Sequence, residues 1–222
     1  MSAQASPRPV VVLISGRGSN MRTLIEQGRA PDSPYFVAGV FSDQATAPGL
    51  QLARDLRVPA LALPADGFAD RKAYDLALAA QVAAGEPALV VLAGFMRILS
   101  AGFIARFPGR ILNIHPSLLP QYPGLHTHRR VLAAGEREHG ATVHFVTEAL
   151  DAGPLILQGR VAVTADDDEA SLAARVQAQE HTIYPLAVRW FCAGRLEQRA
   201  DRAWLDGAPL AHPVQLAAAP TH

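Results

Sequence analysis

The sequence has a single cysteine, Cys192, among its 222 residues. One thiol cannot form a disulfide within the chain, and it excludes a zinc site built from several cysteines. Cys192 lies beside Trp190 and Phe191, which indicates a small buried hydrophobic residue rather than a reactive thiol. Because this cysteine usage is typical of a reducing compartment, we predict a cytoplasmic protein.

The chain also lacks net charge and long apolar segments. Twenty Lys and Arg residues balance 20 Asp and Glu residues, so the overall charge favours neither nucleic acid nor an anionic membrane as a partner. No apolar run is long enough to span a bilayer, and residues 1–9 have neither the basic start nor the apolar core of a signal peptide. We therefore expect small-molecule substrates, with no nucleic acid and no membrane partner.

Half of the residues are hydrophobic, which is enough for one substantial core. Short apolar strands alternate with helical patterns through the first half of the chain. The predicted strands cover 10–14, 36–41, 60–63 and 88–93, and the predicted helices cover 21–28, 50–56 and 74–82. Strands without a polar face, alternating with helices, predict an α/β fold with three layers: a mostly parallel, Rossmann-like sheet with helices on both faces.

The second half has a different pattern. Segments 141–147 and 155–163 resemble strands that extend the sheet, in parallel or antiparallel pairing, around a turn at 150–154. The apolar pattern of residues 172–190 predicts a long amphipathic helix that begins at Ser171 and is bent or broken near Pro185. The Pro- and Ala-rich tail from residue 208 is predicted to be poorly ordered.

An amide and an imidazole end one apolar strand. Asn113 and His115 are two residues apart, so on a strand their side chains project from the same face and their donors can converge on one atom. Pro116 and Pro120 stiffen the loop that follows, and we expect the Leu119–Pro120 peptide to be cis. A buried histidine satisfied by a carbonyl is the alternative, but two polar side chains on one apolar strand favour a functional site.

The loop of residues 16–20 (GRGSN) follows the first strand and opens the first helix. Glycines there let backbone N–H groups approach an anion, and the helix dipole favours a phosphate. Ser19 or Asn20 could cap the helix, and Arg17 could add charge or point into solvent. An ordinary capped turn is a rival interpretation.

A dinucleotide site is a second rival interpretation of this loop. Met21 stands where the third glycine of that fingerprint belongs, although Asp43 lies about where a ribose-binding acid would fall. A P-loop is excluded because no Gly-Lys-Ser/Thr follows. Together with a parallel sheet, the loop favours a monophosphate.

Asp151 lies in a turn with Gly153 and Pro154. It either closes an Asx-turn or folds back beside His115, where its carboxylate would favour the imidazolium. The chain offers other histidines, but their spacing is poor for a metal, so we predict no metal site; they are His126, His128, His139 and His144. Ser117 lies outside any nucleophile-elbow motif, which argues against an acyl-enzyme.

Taken together, these motifs resemble those of the phosphoribosylglycinamide formyltransferases, a family of folate-dependent formyltransferases. The resemblance covers nearly the whole chain, through VVLISGRGSN, LAGFMRILS, ILNIHPSLLPQYPGLHTH, HGATVHFVTEALDAGP, VQAQEHTIYP and AWLDG. It implies the formyltransferase fold and transfer of the formyl group of 10-formyltetrahydrofolate, as co-substrate, to the amine of 5'-phosphoribosylglycinamide (GAR) in purine biosynthesis. It implies no metal.

The resemblance also implies three sets of site residues. The catalytic set is Asn113, His115 and Asp151. The set for the GAR phosphate and ribose is Gly16, Arg17, Gly18, Ser19, Asn20, Gln177 and Glu180. The folate set is Arg71, Met96, Arg97, Ile98, Leu99, His144, Val146, Thr147 and Asp151. Arg17 stands where some relatives carry Asn. Alternative interpretations remain for four members of the folate set: core packing for Met96, Ile98 and Leu99, and a solvated helix position for Arg71.

On this interpretation residues 1–222 form a single formyltransferase domain, acting as a monomer or homodimer. We expect a nucleotide-phosphate half at about 8–107, a folate and catalytic half at about 108–206, and poorly ordered tails at 1–7 and 208–222. Formyltetrahydrofolate deformylase and methionyl-tRNA formyltransferase are the rival enzymes. A nucleotide-binding module without chemistry is the alternative from another class, but it leaves Asn113 and His115 unexplained.

Overall fold

An eight-stranded sheet with helices on both faces organises the chain in the computed structural model, which describes residues 6–216. In chain order the strands are β1 (Arg8–Ile14), β2 (Tyr35–Ser42), β3 (Ala60–Ala62), β4 (Leu89–Leu92), β5 (Ile111–His115), β6 (Glu138–Phe145), β7 (Leu155–Ala162), β8 (Leu196–Arg199), β9 (Arg202–Leu205), β10 (Ala208–Pro209) and β11 (Val214–Leu216). The helices are α1 (Ser19–Gly28), α2 (Pro48–Asp55), α3 (Arg71–Ala83), α4 (Ala101–Arg106), α5 (Thr127–Ala133) and α6 (Glu169–Cys192), with a 3₁₀ turn at Ala65–Gly67.

The strands of the large sheet lie in the order β11-β7-β6-β5-β4-β1-β2-β3. The five strands from β5 to β3 in this order are parallel, whereas β6 runs antiparallel to both β5 and β7. A separate small sheet contains β8, β9 and β10. The predicted mostly parallel α/β sheet is confirmed, and the pairing that the sequence left open beyond β5 is antiparallel.

Alternate residues of β1 supply two hydrophobic cores, which explains why this strand has no polar face. Val10 and Val12 belong to the core that includes residues of α1 and α6, and Val11 and Leu13 belong to the core that includes residues of α3 and α4. All four side chains are at most 2 % exposed. The sheet is therefore covered on both faces, as the three-layer prediction requires.

Helix α6 differs from its prediction at its start and at its proline. Asp168 caps it, and Ser171 closes the capping box from the third helical position, so the prediction that Ser171 opens the helix is wrong by three residues. The helix also continues through Pro185 instead of ending there. Pro185 is buried, and the neighbouring Tyr184 Oη donates to Leu92 O at 2.8 Å, so this part of the helix is packed against the sheet.

The predicted disordered tail is wrong for residues 208–216. Val214–Leu216 pairs in parallel with β7, and Ala208–Pro209 pairs with β9. Composition alone does not reveal this order, because it comes from the open edge of β7, a strand more than 50 residues away in sequence. Residues 1–5 and 217–222 lie outside the described part of the chain.

Both predicted halves contribute strands to the same large sheet, because β4 and β5 are direct neighbours across the proposed division. The division into a nucleotide half and a folate half stays a prediction. Among residues 6–216, no helix combines the length and apolar character needed to cross a bilayer.

Candidate active site

The predicted catalytic residues meet at the carboxyl end of β5. In a parallel sheet this edge is where loops from neighbouring strands converge and where ligands bind. Leu92, the last residue of β4, pairs with Asn113, so β5 extends two residues beyond its neighbour to His115. On the other side Asn113 pairs with His144 of β6.

Asp151 folds back onto His115, as one of the two predicted alternatives required. The distance from His115 Nδ1 to Asp151 Oδ2 is 3.4 Å, and the Asp151 side chain is 7 % exposed. The other ring nitrogen, Nε2, lies 3.0 Å from Tyr122 O, and the Gly124 N–H donates to Asp151 Oδ2 at 2.9 Å. Because the Tyr122 carbonyl can only accept, Nε2 carries a hydrogen and donates it to that carbonyl.

The turn around Asp151 has a backbone that few sequences can adopt. Asp151 is in the left-handed region with φ 50°, and a Cβ on Gly153 would lie 1.9 Å from Phe145 O. Only glycine fits so close to the end of β6. The Phe145 N–H donates to Pro154 O at 3.0 Å and closes the loop. The backbone of the Leu-Asp-x-Gly-Pro motif thus places the Asp151 carboxylate beside His115.

His144 fixes the orientation of the Asn113 amide. Its Nδ1 lies 2.9 Å from Phe145 O, a carbonyl, so Nδ1 carries the hydrogen and Nε2 has a free lone pair. Asn113 Nδ2 lies 3.2 Å from that Nε2 and is the donor. Burial lowers the pKa of His144 and keeps the ring neutral. An amide has a second N–H, which remains for a reacting group.

The glycine loop packs tightly against the start of α2. Gly18 has φ 76°, and a Cβ there would lie 2.9 Å from Met21 Cε. Gly49 N–H donates to Gly16 O at 3.0 Å, and a Cβ on Gly49 would lie 2.8 Å from the same carbonyl. The loop therefore keeps its shape by backbone contact.

No side chain caps α1, which begins at Ser19 after Gly18. The prediction that Ser19 or Asn20 caps the helix is wrong, because both residues lie inside its first turn and their side chains point to α6. The N–H groups of a first turn have no acceptor within the helix and are suited to an anion. Arg17 is exposed beside them.

Two residues of α6 reach the first turn of α1 and complete the predicted nucleotide set. Asn20 Nδ2 donates to Glu180 Oε2 at 2.8 Å, and Gln177 Nε2 donates to Ser19 Oγ at 3.0 Å. Asn20 and Glu180 are each 9 % exposed, and burial raises the pKa of Glu180. Asn20 Oδ1 is buried and lacks a hydrogen-bond partner within residues 6–216, which leaves an acceptor for a ligand.

The predicted folate segment 96–99 lies beside the glycine loop. The Met96 N–H donates to Ser15 Oγ at 2.8 Å, and Ser15 Oγ donates to Asp43 Oδ1 at 2.6 Å. Asp43 thus has a structural partner in Ser15, directly after β1, which argues against the ribose-binding acid of a dinucleotide site. This network connects the ends of β1, β2 and β4.

Of the two arginines in the folate set, Arg71 begins α3 and Arg97 contacts that helix. Arg97 stacks over the Tyr74 ring at 4.5 Å, and its Nε is buried without a hydrogen-bond partner in the described residues. Arg71 Nε lies 3.9 Å from Asp75 Oδ2, which also accepts the Ser100 N–H at 2.7 Å. Asp75 therefore holds Arg71 and the end of the folate segment together.

Four large apolar side chains are exposed around these elements. Met96 and Ile98 are 69 % and 50 % exposed, and Leu125 and Leu150, which flank the contact between Gly124 and Asp151, are 69 % and 55 % exposed. Leu99 is 4 % exposed and belongs to the core instead. Exposed apolar groups at a polar site suit an aromatic ligand. The other members of the folate set, Val146 and Thr147, begin the loop that returns to Asp151.

The remaining histidines do not assemble a metal site in the described chain. His128 Nδ1 and His139 Nε2 lie 3.0 Å apart and contact each other. Within residues 6–216, no group of three or more His, Cys, Asp or Glu side chains is arranged to hold a metal ion.

Sequence reasoning missed the residues that act through their backbone. The Tyr122 carbonyl and the Gly124 N–H hold the His115 and Asp151 pair, but backbone groups leave no residue-type signal. The segment Gln121–Gly124 does carry a Tyr-Pro-Gly turn signal that could have suggested a sharp return. The Leu119–Pro120 peptide that precedes it is cis, as predicted.

Comparison with known proteins gives a consistent family. Residues 8–188 match the formyl transferase family. The phosphoribosylglycinamide formyltransferase of Escherichia coli strain K12 is 52% identical over 201 residues, which are 90% of this chain and 95% of that protein. The enzyme of the same name from Haemophilus influenzae is 42% identical over 203 residues, or 91% and 96% of the two chains.

Solved structures show the same likeness. The phosphoribosylglycinamide formyltransferase of Coxiella burnetii superposes with a TM-score of 0.88 at 45% identity, covering 94% of this chain and 100% of that one. Glycinamide ribonucleotide transformylase 1 of Symbiobacterium toebii gives the same TM-score of 0.88 at 43% identity, with coverage of 92% and 97%.

Proposed function

The chain belongs to the formyl transferase family, and on that premise we propose that it is a phosphoribosylglycinamide formyltransferase. It transfers the formyl group of 10-formyltetrahydrofolate, its co-substrate, to the amine of GAR in purine biosynthesis. The observation that carries the assignment is the convergence of Asn113, His115 and Asp151 at the same edge of the sheet as the glycine loop, which α6 contacts.

Asn113 and His115 act as donors to the formyl oxygen. When the GAR amine attacks the formyl carbon, this oxygen becomes negative in a tetrahedral intermediate. The free N–H of Asn113 and a proton on His115 Nδ1 are positioned on the same strand face to meet it. Nδ1 is the available nitrogen, because Nε2 is held by Tyr122 O at 3.0 Å.

Asp151 places a carboxylate beside His115 Nδ1. Its distance of 3.4 Å from Nδ1 is longer than an ordinary charge-assisted hydrogen bond, so the Nδ1 proton can be shared with an oxygen placed beside it. As the intermediate collapses, the bond between the formyl carbon and N10 of the folate breaks, and tetrahydrofolate leaves. The carboxylate accepts the proton that the attacking amine loses, directly or through water, and passes it to the departing N10.

The glycine loop and α6 bind the nucleotide. Backbone N–H groups of the first turn of α1 receive the phosphate, and Asn20 with Glu180 faces the ribose or glycinamide end. The unpartnered Asn20 Oδ1 supports this role, since a buried acceptor is satisfied when a ligand hydroxyl or amine donates to it. Arg17 adds positive charge at the mouth of the loop.

The folate lies along the segment 96–99 and the loop that leads to Asp151. Exposed Met96 and Ile98 offer apolar contact for its rings, and the arginines of α3 and segment 96–99 offer charge for its carboxylates. His144 belongs behind Asn113 rather than in the folate contact, because it is 3 % exposed and bonded to that amide.

We place the reaction in the cytoplasm and the protein as a monomer or homodimer. The single buried cysteine fits a reducing compartment, and a neutral chain has no general attraction for tRNA. The latter point also weighs against methionyl-tRNA formyltransferase.

The experiment that tests this function follows formyl-folate consumption by the purified protein with and without GAR, together with the mass of the nucleotide. The proposal predicts GAR-dependent turnover and a nucleotide heavier by one formyl group in place of one hydrogen. Turnover without GAR would make the protein a deformylase, and saturable NAD binding without turnover would make it a nucleotide-binding module.

A further inference from the structure

Within residues 6–216, Gln158 of β7 makes no hydrogen bond to a proposed substrate or catalytic residue. We nevertheless propose that it positions His115 and Asp151, the catalytic pair, for formyl transfer. It acts through the proline loop, which we define as residues 116–124. The predicted effect on kcat rests on the proposed function. The predicted effect on the position of the His115 ring does not, because it can be measured without turnover.

The proline loop holds both members of the catalytic pair through its backbone. Tyr122 O accepts the hydrogen of His115 Nε2 at 3.0 Å, and Gly124 N–H donates to Asp151 Oδ2 at 2.9 Å. A shift of this loop would therefore rotate the imidazole and move the carboxylate together.

Gln158 bonds the loop three residues before Tyr122. Its side chain is 3 % exposed, and Nε2 lies 2.8 Å from Leu119 O and 3.0 Å from Thr142 Oγ1. An amide has two hydrogens, so both acceptors are satisfied. Oε1 accepts from Gln215 Nε2 of β11 at 3.0 Å, which orients the amide with its nitrogen toward the loop.

Thr142 completes the attachment from the neighbouring strand. Its hydroxyl donates to Ser117 O at 2.6 Å and accepts the Leu119 N–H at 3.0 Å. Thr142 is also the register partner of His115 in the β5–β6 pair. Both polar groups of the Leu119 backbone are thus bound by side chains of β6 and β7, and Gln158 supplies the bond to the carbonyl.

Packing alone does not fix the loop on this side. A cleft of about 650 Å³ opens beside it, and its lining includes Leu118, Pro120 and Gln121 of the loop together with Glu136 and Arg160. None of the catalytic three lines this cleft. Leu119 itself is buried, and the hydrogen bonds from Gln158 and Thr142 are directional restraints on a loop that has free space on this side.

Gln158→Met tests the proposal, since it keeps the side-chain length and removes the donors. The matched control is Gln198→Met, because Gln198 on β8 also donates to a carbonyl, that of Ala200, in an exposed turn. We expect Gln158→Met to lower kcat by about 10- to 100-fold with KM for GAR changed by less than about twofold. The control should match the wild type.

A second readout follows the His115 Nε2 proton by NMR of ¹⁵N-labelled protein. In the wild type and in Gln198→Met the bond to Tyr122 O should protect it from exchange with water, whereas in Gln158→Met the signal should be lost. Wild-type kcat together with a retained ring proton in Gln158→Met would overturn the proposal.

Two further outcomes have defined meanings. If Gln158→Met does not fold, Gln215→Ala replaces it as the test. Gln215 is exposed, and this substitution removes the hydrogen bond that orients the Gln158 amide. A smaller fall in kcat with faster exchange of the His115 ring proton supports the proposal, and unchanged values overturn it. If the wild type has no GAR-dependent turnover, the proposed function fails, while the ring-proton comparison still decides whether Gln158 positions His115.

Discussion

At the scale of single residues, the site depends on which atom of each side chain is already occupied. His115 has one nitrogen held by a backbone carbonyl and the other facing Asp151, and Asn113 has one N–H held by His144. On the proposed mechanism, the second N–H of Asn113 and Nδ1 of His115 are the groups that remain for the reacting oxygen. Residue type and spacing predict the donors, but only the folded chain shows which hydrogens remain.

Asp151→Asn should abolish most of the turnover and leave nucleotide binding nearly unchanged. Asparagine can still accept the Gly124 N–H, so the loop keeps its place, but its neutral amide does not accept the amine proton. Steady-state kinetics should show kcat lower by about 100- to 10,000-fold, the range that general acid–base groups contribute. Asp206→Asn, an exposed aspartate paired with Arg195, is the control; near-normal kcat for Asp151→Asn would remove this carboxylate from the mechanism.

Glu180→Gln should stabilise the free protein at high pH and weaken GAR binding. Burial raises the pKa of Glu180, so the stability associated with its protonated form is lost as pH rises through that raised pKa. Glutamine does not titrate, and the melting temperature of the variant relative to wild type should rise with pH. Loss of a charged hydrogen-bond partner should raise KM for GAR by about tenfold or more. An unchanged KM would exclude Glu180 from the nucleotide site.

At the scale of secondary structure, the elements that the sequence predicts are those with a local signal. Strand β1 and helix α1 follow from apolar runs and a glycine loop. Strand β11 does not follow, because its three residues are ordered by the edge of β7 rather than by their own composition. For the same reason Pro185 does not end α6, since packing against the sheet outweighs one missing backbone hydrogen bond.

The contact between α5 and β6 should make the fold sensitive to acid. Burial lowers the pKa of His139 to about 4, and His128 beside it also has a lowered pKa. Because the pKa of His139 is lower in the folded protein than its usual value of 6.5, the neutral ring contributes to the free energy of unfolding above pH 6.5. This contribution is lost as pH falls toward about 4. Two further charged groups act on this contact. Glu169 raises the pKa of His128, and His115 lowers the pKa of both His128 and His139.

Thermal unfolding of His139→Gln across this pH range measures the effect. Glutamine keeps a polar side chain without a titrating group, so the wild type should lose melting temperature relative to the variant as pH falls. Parallel curves for the two proteins would show that His139 does not contribute to the acid sensitivity.

At the scale of the whole molecule, the sheet explains why residues from distant parts of the chain form one site. The ends of β1, β4 and β5 lie at one edge of the sheet. Helix α6 reaches this edge, where its Glu180 accepts a hydrogen bond from Asn20, 160 positions away in sequence. The alternation of strands and helices predicts such an edge, and the family resemblance selects its residues. The sequence does not predict the bonds of the proline loop to β6 and β7, because they depend on antiparallel register.

The most direct test of the account is the fate of the formyl carbon during turnover. The purified protein is given GAR and 10-formyltetrahydrofolate labelled with ¹³C in the formyl group, in the presence of excess unlabelled formate, and the mass of the nucleotide product is measured. Direct attack of the amine predicts a formylated nucleotide that retains the full label. A product diluted with unlabelled carbon, or no formylated nucleotide at all, would contradict it.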